Sequence, residues 1–340
     1  MSCGIGWKEK FISLYMSNEL ADFKAALDMK RENMPRVLYR YRTINSGVAF
    51  ARLLQTLCDG RLYCSHRDSL NDPFELRTPL SSRRASSYFG TNKSKASLYL
   101  EQLKKHFDDS EFEEVMQGDD WYVKLQRLMF REQSERSGKT VEFVENAWNE
   151  VLMKHIEDLS AAYESIFNMN RVASFSEDCT SLPMWQHYSD SHKGVCLAYD
   201  TEKLSIVGSN PIFPVLYATE LPDAVKFSFE KLSMSDKPPF GLTIYHCIHK
   251  LVDWSYEKEW RYIFQPGSRY FSHEDVPQDY WDNGTLVDFI KPSKIILGNS
   301  IEAEVKSELL EAAKEHGISV TQMKKTPYGL EESHIDNVDL

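Results

Sequence analysis

Three short polar motifs in strand-like segments carry the residues of this chain best suited to chemistry. They are LYRYR (38–42), SFSED (174–178) and YEKEWR (256–261). A strand sends alternate side chains to one face. Arg40 and Arg42 therefore share a face, as do Ser174 and Ser176, and as do Glu257, Glu259 and Arg261. Charge placed on strand faces must be solvated, paired or used. If the three strands are neighbours, they form an Arg–Ser–Glu cleft.

Each motif implies a particular chemistry and has a plainer alternative. The planar fork of arginine binds two phosphate oxygens at once, so Arg40 and Arg42, edged by Tyr39 and Tyr41, suit a pyrophosphate and a stacked ring. The alternative is an edge strand with snorkelling arginines. Glu257 and Glu259, about 7 Å apart by strand rise, can bond a sugar hydroxyl and stabilise an oxocarbenium-like transition state. The alternative is a solvated strand face on which a glutamate pairs with Arg261 or a cross-strand cation. Ser174 and Ser176 suit hydrogen bonds to a ribose, but serine is also an ordinary surface residue.

Two further segments stand out. Just before MWQHYSDSHKG (184–194), Ser181 is placed to cap a helix and Pro183 to fill its first turn. Trp185 and Tyr188 then share a helix face, and Gly194 reads as a turn glycine. His187 and His192 are five apart, whereas a helical metal pair is spaced i, i+4, so no metal is expected. NDPFE (71–75) reads as an Asn- or Asp-capped turn, or as a loop lining the cleft. No Walker loop, Rossmann glycine pattern, GxSxG or HExxH is present.

The elements that must position these residues are legible in outline. A helical pattern covers 8–30 and a strand follows at 37–42. Phe50, Leu53, Leu54 and Leu57 then make a short amphipathic helix that Asp59-Gly60 ends. RLYCS (61–65) reads as a strand. Residues 95–168 read as almost wholly helical, with a stripe of Val144, Trp148, Val151, Leu152, Leu159, Tyr163 and Ile166. Strands are expected at 172–176, 195–199, 215–217, within a β-rich 243–252, and at 259–264. A strand at 294–297, a helix to about 315 and a strand at 318–323 complete the pattern. This predicts an α+β fold with a split, mostly antiparallel or mixed sheet and a helical insertion. The expected organisation is an N-terminal helix in 1–35, one core domain from 36–94 and 169–325, an insertion at 95–168 and an acidic tail at 326–340.

Composition narrows the function classes. Of 340 residues 42% are hydrophobic and 12% aromatic, enough for a packed core, and the net charge of −11 argues against a protein that coats nucleic acid electrostatically. No apolar run approaches the roughly 20 residues of a membrane span, and MSCGIGWKEK lacks the apolar stretch of a signal peptide. Six scattered cysteines without a CxxC pair fit reduced thiols in a cytoplasm.

Taken in order, LYRYR, DGRLYCS with SLNDPFE, SFSED, MWQHYSDSHKG with VCLAYD, and YEKEWR resemble the bacterial DUF2971 family over roughly residues 36–300. More distantly, the chain resembles ADP-ribosyltransferases of the Arg–Ser–Glu class. These carry an arginine on the first core strand, a Ser-x-Ser motif on a later strand and a Glu-x-Glu motif near the end of the core. That resemblance implies an ADP-ribosyltransferase-like sheet and NAD as substrate, for ADP-ribosyl transfer or NAD hydrolysis. It implies that Arg40 or Arg42 holds the NAD phosphates and that Ser174 and Ser176 order the nicotinamide ribose. It also implies that Glu259 stabilises the oxocarbenium while Glu257 orients a protein or nucleic-acid acceptor. Trp185, His187 and Tyr188 are the remaining expected cofactor contacts. Phe175 departs from the threonine usual inside Ser-x-Ser. Such an activity would suit a toxin or anti-phage effector. The competing readings are a non-catalytic nucleotide or nucleic-acid binding module, and a metal-independent nuclease using His187 or His192 with Glu257.

Overall fold

The run Val195–Tyr199 has no polar face, the pattern of a strand covered on both sides, and in the computed structural model it lies inside a large sheet. The structure describes residues 6–77, 104–105, 108–117, 121–206, 211–223, 241–265 and 283–335. The chain divides into two units, one of Met1–Arg77, Ile166–Leu221 and Phe240–Leu340, the other of Thr78–Ser165 and Pro222–Pro239.

In chain order the elements are α1 (Trp7–Tyr15), α2 (Leu20–Asn33), β1 (Val37–Arg42), α3 (Gly47–Asp59), β2 (Arg61–Cys64), α4 (Asp109–Val115), α5 (Trp121–Ser137) and α6 (Val141–Met169). They continue with β3 (Arg171–Ser176), α7 (Leu182–Tyr188), β4 (Val195–Asp200), β5 (Ile212–Pro214), β6 (Leu216–Ala218), α8 (Leu242–Tyr245), β7 (His249–Leu251) and β8 (Glu259–Phe264). The last are β9 (Thr285–Asp288), β10 (Lys294–Leu297), α9 (Ala303–Glu315), β11 (Ser319–Thr326) and β12 (Gly329–His334). The fold is thus mixed α+β.

The main sheet has eight strands in the order β12-β11-β10-β4-β1-β3-β8-β5, antiparallel at every junction except β10–β11. On one face Leu38, Phe175, Val195, Leu197, Tyr199, Trp260 and Ile295 pack with Leu53 and Leu57 of α3 and Leu309 of α9. On the other, Tyr41, Cys196, Ile296 and Met323 pack with Met184 and Trp185 of α7. The two clusters take alternate residues of β4, as the two-residue period requires. α3 is closed at both ends, the second at the Asp59-Gly60 stop expected from the sequence. Ser46 Oγ accepts the Ala49 N–H at its start, and Gly60 ends it in the left-handed region at φ 65°.

The sheet is split at one junction. β1 meets β3 at Tyr39↔Ser176 alone, while β1 pairs with β4 over six residues and β3 with β8 over six. Beyond Tyr39 and Ser176 the two strands part.

Several expectations need correction. The N-terminal helical stretch is two helices, broken between Tyr15 and Leu20. The segment read as β-rich at 243–252 opens with the helical turn α8, and only His249–Leu251 is strand. The segment read as an acidic tail contains β12, which pairs with β11 through residues such as Met323↔Glu332. Its acidic residues sit on an edge strand, where a charged face is tolerated. In the second unit, Phe112, Trp121 and Leu125 form a small cluster. Trp148 and Val151 of the expected apolar stripe are exposed, while Tyr163 is buried. Residues 95–103, 106–107 and 118–120 of the expected insertion, 78–94, 207–210, 224–240 and 266–282 of the expected core, and 336–340 of the expected tail lie outside the described residues.

Gly194 ends the turn before β4, its N–H donating to the Ser189 carbonyl at 2.8 Å, but without a positive φ. A Cβ there would stand 2.2 Å from the Arg42 carbonyl oxygen and 2.8 Å from Ser189 Oγ. The residue is small because β1 and the loop before β4 approach closely. Gly194→Ala should therefore lower stability by about 1–3 kcal/mol, read as a lower denaturant midpoint. An unchanged midpoint would contradict this packing.

Candidate functional site

The parting of β1 from β3 opens a cavity of about 360 Å³ in the first unit, within the size range of small-ligand sites. Tyr39–Thr43 line one wall and Val172–Ser176 the other. Ala49 near the start of α3, the Ser69–Asn71 loop with Glu75, Met184, His187 and Tyr188 of α7, and Lys250, Glu257 and Glu259 complete it.

All three polar motifs reach this cavity, but not from one face. Register places Ser176 opposite Glu259 and Ser174 opposite Arg261, so these side chains share a face. Arg40 leaves the other face, its guanidinium 5.7 Å from the Phe175 ring centroid. The arginines and the carboxylates meet because the cavity occupies the gap between the strands.

The arginine pole carries uncompensated charge. Arg40 donates to the Tyr63 carbonyl at 2.6 Å, and its buried Nη1 has no hydrogen-bond partner among the described residues. Burial holds Arg40 below the usual arginine range. For Arg42, burial and then the neighbouring Arg40 bring the value down to about 9, so it remains charged at neutral pH. Among the described residues neither arginine has an ion-pair partner. Arg40 is buried and Arg42 half-buried, and a cation held out of water gains from an anion brought to it.

The opposite pole is a buried ionic cluster. Arg261 Nε and Nη2 donate to the two oxygens of Glu259, each at 2.9 Å, and Nη2 also pairs with Glu75. Arg261 Nη1 donates to the Cys247 carbonyl at 2.5 Å. Lys250 Nζ lies 2.7 Å from Glu257 and 3.5 Å from both Glu75 and Glu259. All five residues are buried, so removing either cation would leave carboxylates unpaired in a medium that penalises them.

Three carboxylates share two cations, and they respond differently. Burial pushes Glu259 up, but Arg261 and Lys250 outweigh it and hold the carboxyl at about 2. Burial and then Glu259 push Glu257 up to about 7, against the pull of Lys250 and Tyr188. Burial raises Glu75 as well.

Glu257 does not project from the strand. It ends a 3-10 turn (Val252–Glu257), and Lys258 in the left-handed region, φ 46°, carries the chain into β8. The expected common strand face is therefore wrong for this residue. Its carboxylate reaches the same cluster because the turn folds it over Lys250. Nor is the face solvated: Glu257 is 3% exposed and Glu259 1%.

The remaining expected site residues divide. Ser174 is exposed and lines the cavity. Ser176 also lines it, but is buried, and its Oγ is committed to the Glu257 carbonyl at 2.7 Å. His187 is exposed at the rim, and Tyr188 donates its hydroxyl to Glu257. Trp185 is not among the lining residues. It is fully buried, stacks on His192 and donates Nε1 to the Cys179 carbonyl at 2.7 Å, so its expected role as a cofactor contact is corrected to a core role. Glu75, Lys250 and Asn71 were not among the expected site residues. NDPFE as a cleft-lining loop was a signal for two of them, whereas Lys250 sits in a segment with no distinguishing pattern. Among the described residues no group of three or more His, Cys, Asp or Glu side chains is placed to hold a metal ion, and no helix is long and apolar enough to cross a membrane.

Fold and site together define an α+β protein with a two-pole polar cavity in a split sheet. Residues 184–262, which include most of α7 with the cavity-facing Tyr188, and Lys250, Glu257, Glu259 and Arg261 of the cluster, match the family described as "Protein of unknown function (DUF2971)". No curated protein and no solved structure matches the chain.

The two perturbed carboxylates set a pH dependence of stability. An ordinary glutamate sits at 4.5, and Glu257 in the fold at about 7. Between these values the unfolded chain has lost a proton that the fold retains. The stabilisation is complete below 4.5 and is lost as pH rises through 7. Glu259 acts oppositely, and its contribution is lost only as pH falls from 4.5 towards 2. Glu257→Gln should therefore remove a decline on the order of 1 kcal/mol per pH unit between pH 5 and 7. Urea titrations across that window check it; a variant keeping the wild-type slope would contradict the assignment.

Proposed function

We propose that this protein cleaves the nicotinamide–ribose bond of NAD, passing ADP-ribose to water or to a macromolecular acceptor. We propose with it that the core follows the arrangement of Arg–Ser–Glu ADP-ribosyltransferases. One observation carries the reading: the strands that bear the arginines, Ser-x-Ser and Glu259 are consecutive neighbours, β1-β3-β8, and their side chains, with Glu257 from the turn before β8, line one cavity between an arginine pole with no ion-pair partner among the described residues and a carboxylate pole.

In this reading Arg42, with Arg40 behind it, takes the diphosphate, and Ser174 bonds the nicotinamide ribose. The C1′–N1 bond breaks with its electron pair leaving on nicotinamide. The positive charge on the ribose is stabilised by Glu259, which Arg261 keeps ionised and fixed. Water or an acceptor hydroxyl forms the new bond to C1′, and its proton passes to Glu257, whose value near neutrality suits proton exchange. Phe175 inside Ser-x-Ser packs in the core and takes no part.

A second reading has its own support. Both oxygens of Glu259 are already occupied by Arg261, an arrangement that also suits a site which binds a nucleotide without turning it over.

Incubation with NAD separates the two. We expect nicotinamide release, lowered on the order of a hundredfold or more in Glu257→Gln. Arg42→Met should weaken NAD binding by about tenfold to a hundredfold without lowering the melting temperature, because Arg42 has no ion-pair partner among the described residues. Tight binding without release supports the second reading, and absence of binding by the wild type rejects both.

A further inference from the structure

The NDPFE turn has no part in the reaction as written above, yet it enters the cavity beside the carboxylate that would receive the proton. Asn71 Nδ2 donates to the Tyr188 hydroxyl at 2.6 Å, and that hydroxyl donates to Glu257 Oε1. Lys250 Nζ holds Glu257 Oε2 at 2.7 Å, and Ser176 Oγ holds the Glu257 carbonyl at 2.7 Å. A phenol has one proton to give and an oxygen that accepts. With the amide of Asn71 on that oxygen, the phenolic proton is turned towards Glu257. Asn71, Tyr188, Lys250 and Glu257 all line the cavity.

We propose that Asn71 and Tyr188 are a positioning pair that aims Glu257 Oε1 into the cavity and sets where its carboxylate exchanges a proton. The proposal rests on the reading of Glu257 as the proton acceptor. Tyr188 can hold this place because α7 is anchored by Met184 and Trp185 in the core, one turn before it. The charged and titratable groups that face Glu257 are Lys250 from β7, Glu259 from β8, Tyr188 from α7, Tyr217 from β6 and Tyr256 from its own turn. Glu75 and Arg261 complete the cluster. Of these, Tyr188 is the neutral donor on Oε1, so its loss changes the carboxylate without altering the charge count. The pull of Tyr188 on Glu257 is downward. Its removal should therefore move the proton exchange to higher pH.

The chemistry balances without any further reactant. As the water oxygen bonds C1′, its O–H bond breaks and the proton passes to Glu257. Nicotinamide leaves with the electron pair of the broken C1′–N1 bond. Glu257 acts as base only when ionised, so the rate rises with pH through its titration.

Tyr188→Phe tests the proposal, since it deletes one oxygen and keeps the ring. In nicotinamide release, the rising limb of kcat against pH should move up by about one unit, with KM for NAD unchanged. Asn71→Leu, which leaves the tyrosine in place, should move it in the same direction by less. A purely structural role predicts a lower rate at every pH with the limb where the wild type has it, and that result overturns the proposal. Infrared titration of the protonated carboxyl on resting protein, with Glu257→Gln as the blank, reads the same quantity without turnover. An upward shift in Tyr188→Phe supports the positioning pair even if the wild type releases no nicotinamide, in which case the NAD reading alone fails. An unshifted infrared titration in both Tyr188→Phe and Asn71→Leu overturns the pair whatever the activity.

Discussion

Arg261 is buried to the last atom on β8, and much of the site is arranged around the need to satisfy it. A guanidinium removed from water needs acceptors for its donors and a counter-charge for its cation. Glu259, two residues earlier on the same strand face, supplies a bidentate pair; Glu75 comes from the NDPFE turn, and the Cys247 carbonyl from the stretch before β7. Two carboxylates against one guanidinium leave an excess of negative charge, which Lys250 offsets while gathering Glu257 into the same cluster. Four separate chain segments are thereby fixed to one point of the sheet. The cluster's negative surplus gives the cavity its carboxylate pole. It also leaves Glu257 as the member poised to gain or lose a proton near neutrality.

The second constraint is the split between β1 and β3. A continuous ladder would have closed the sheet and directed Arg42 and Ser174 to opposite sides of it. Because pairing stops at Tyr39↔Ser176, side chains from both faces meet in the gap. The result is a cavity with cations on one wall and carboxylates on the other. The two poles differ in kind. The carboxylates are satisfied within the protein and are therefore rigid. Arg40 and Arg42 have no counter-ion among the described residues and gain most from a ligand that brings one. A molecule with an anionic group at one end and hydroxyls at the other matches this polarity, which is why a nucleotide bearing a diphosphate and a ribose fits the reading better than a neutral sugar.

Much of this site was legible in the sequence. LYRYR, SFSED and YEKEWR each place polar residues in strand-like segments, and that mismatch marks strands whose side chains have work other than core packing. The mixed sheet, α3 with its Gly60 end, and the strand at Val195–Tyr199 also followed from local pattern. What did not follow was long-range. Alternation placed Glu257 and Glu259 on one strand face, because nothing local announces the left-handed Lys258 that ends the turn and begins the strand. Trp185 and Tyr188 share a helix face by spacing, but only the depth of the fold decides that the indole enters the core and the phenol reaches the cavity. Lys250 lies in HKL, a tripeptide with no signature; its meaning comes entirely from three carboxylates brought to it from elsewhere. The strand β12 was hidden by its charge, since GLEESH reads as solvated chain until it pairs with β11.

In the proposed function, the gap between β1 and β3 holds the nucleotide with its phosphate end at the arginines and its ribose end at the carboxylates. A crystal structure of the protein with ADP-ribose, which has no nicotinamide to lose, tests it most directly. We expect density in the cavity, with the diphosphate against Arg42 and the terminal ribose beside Ser174 and Glu257. ADP-ribose bound elsewhere on the molecule, or bound here with its diphosphate away from both arginines, would contradict it.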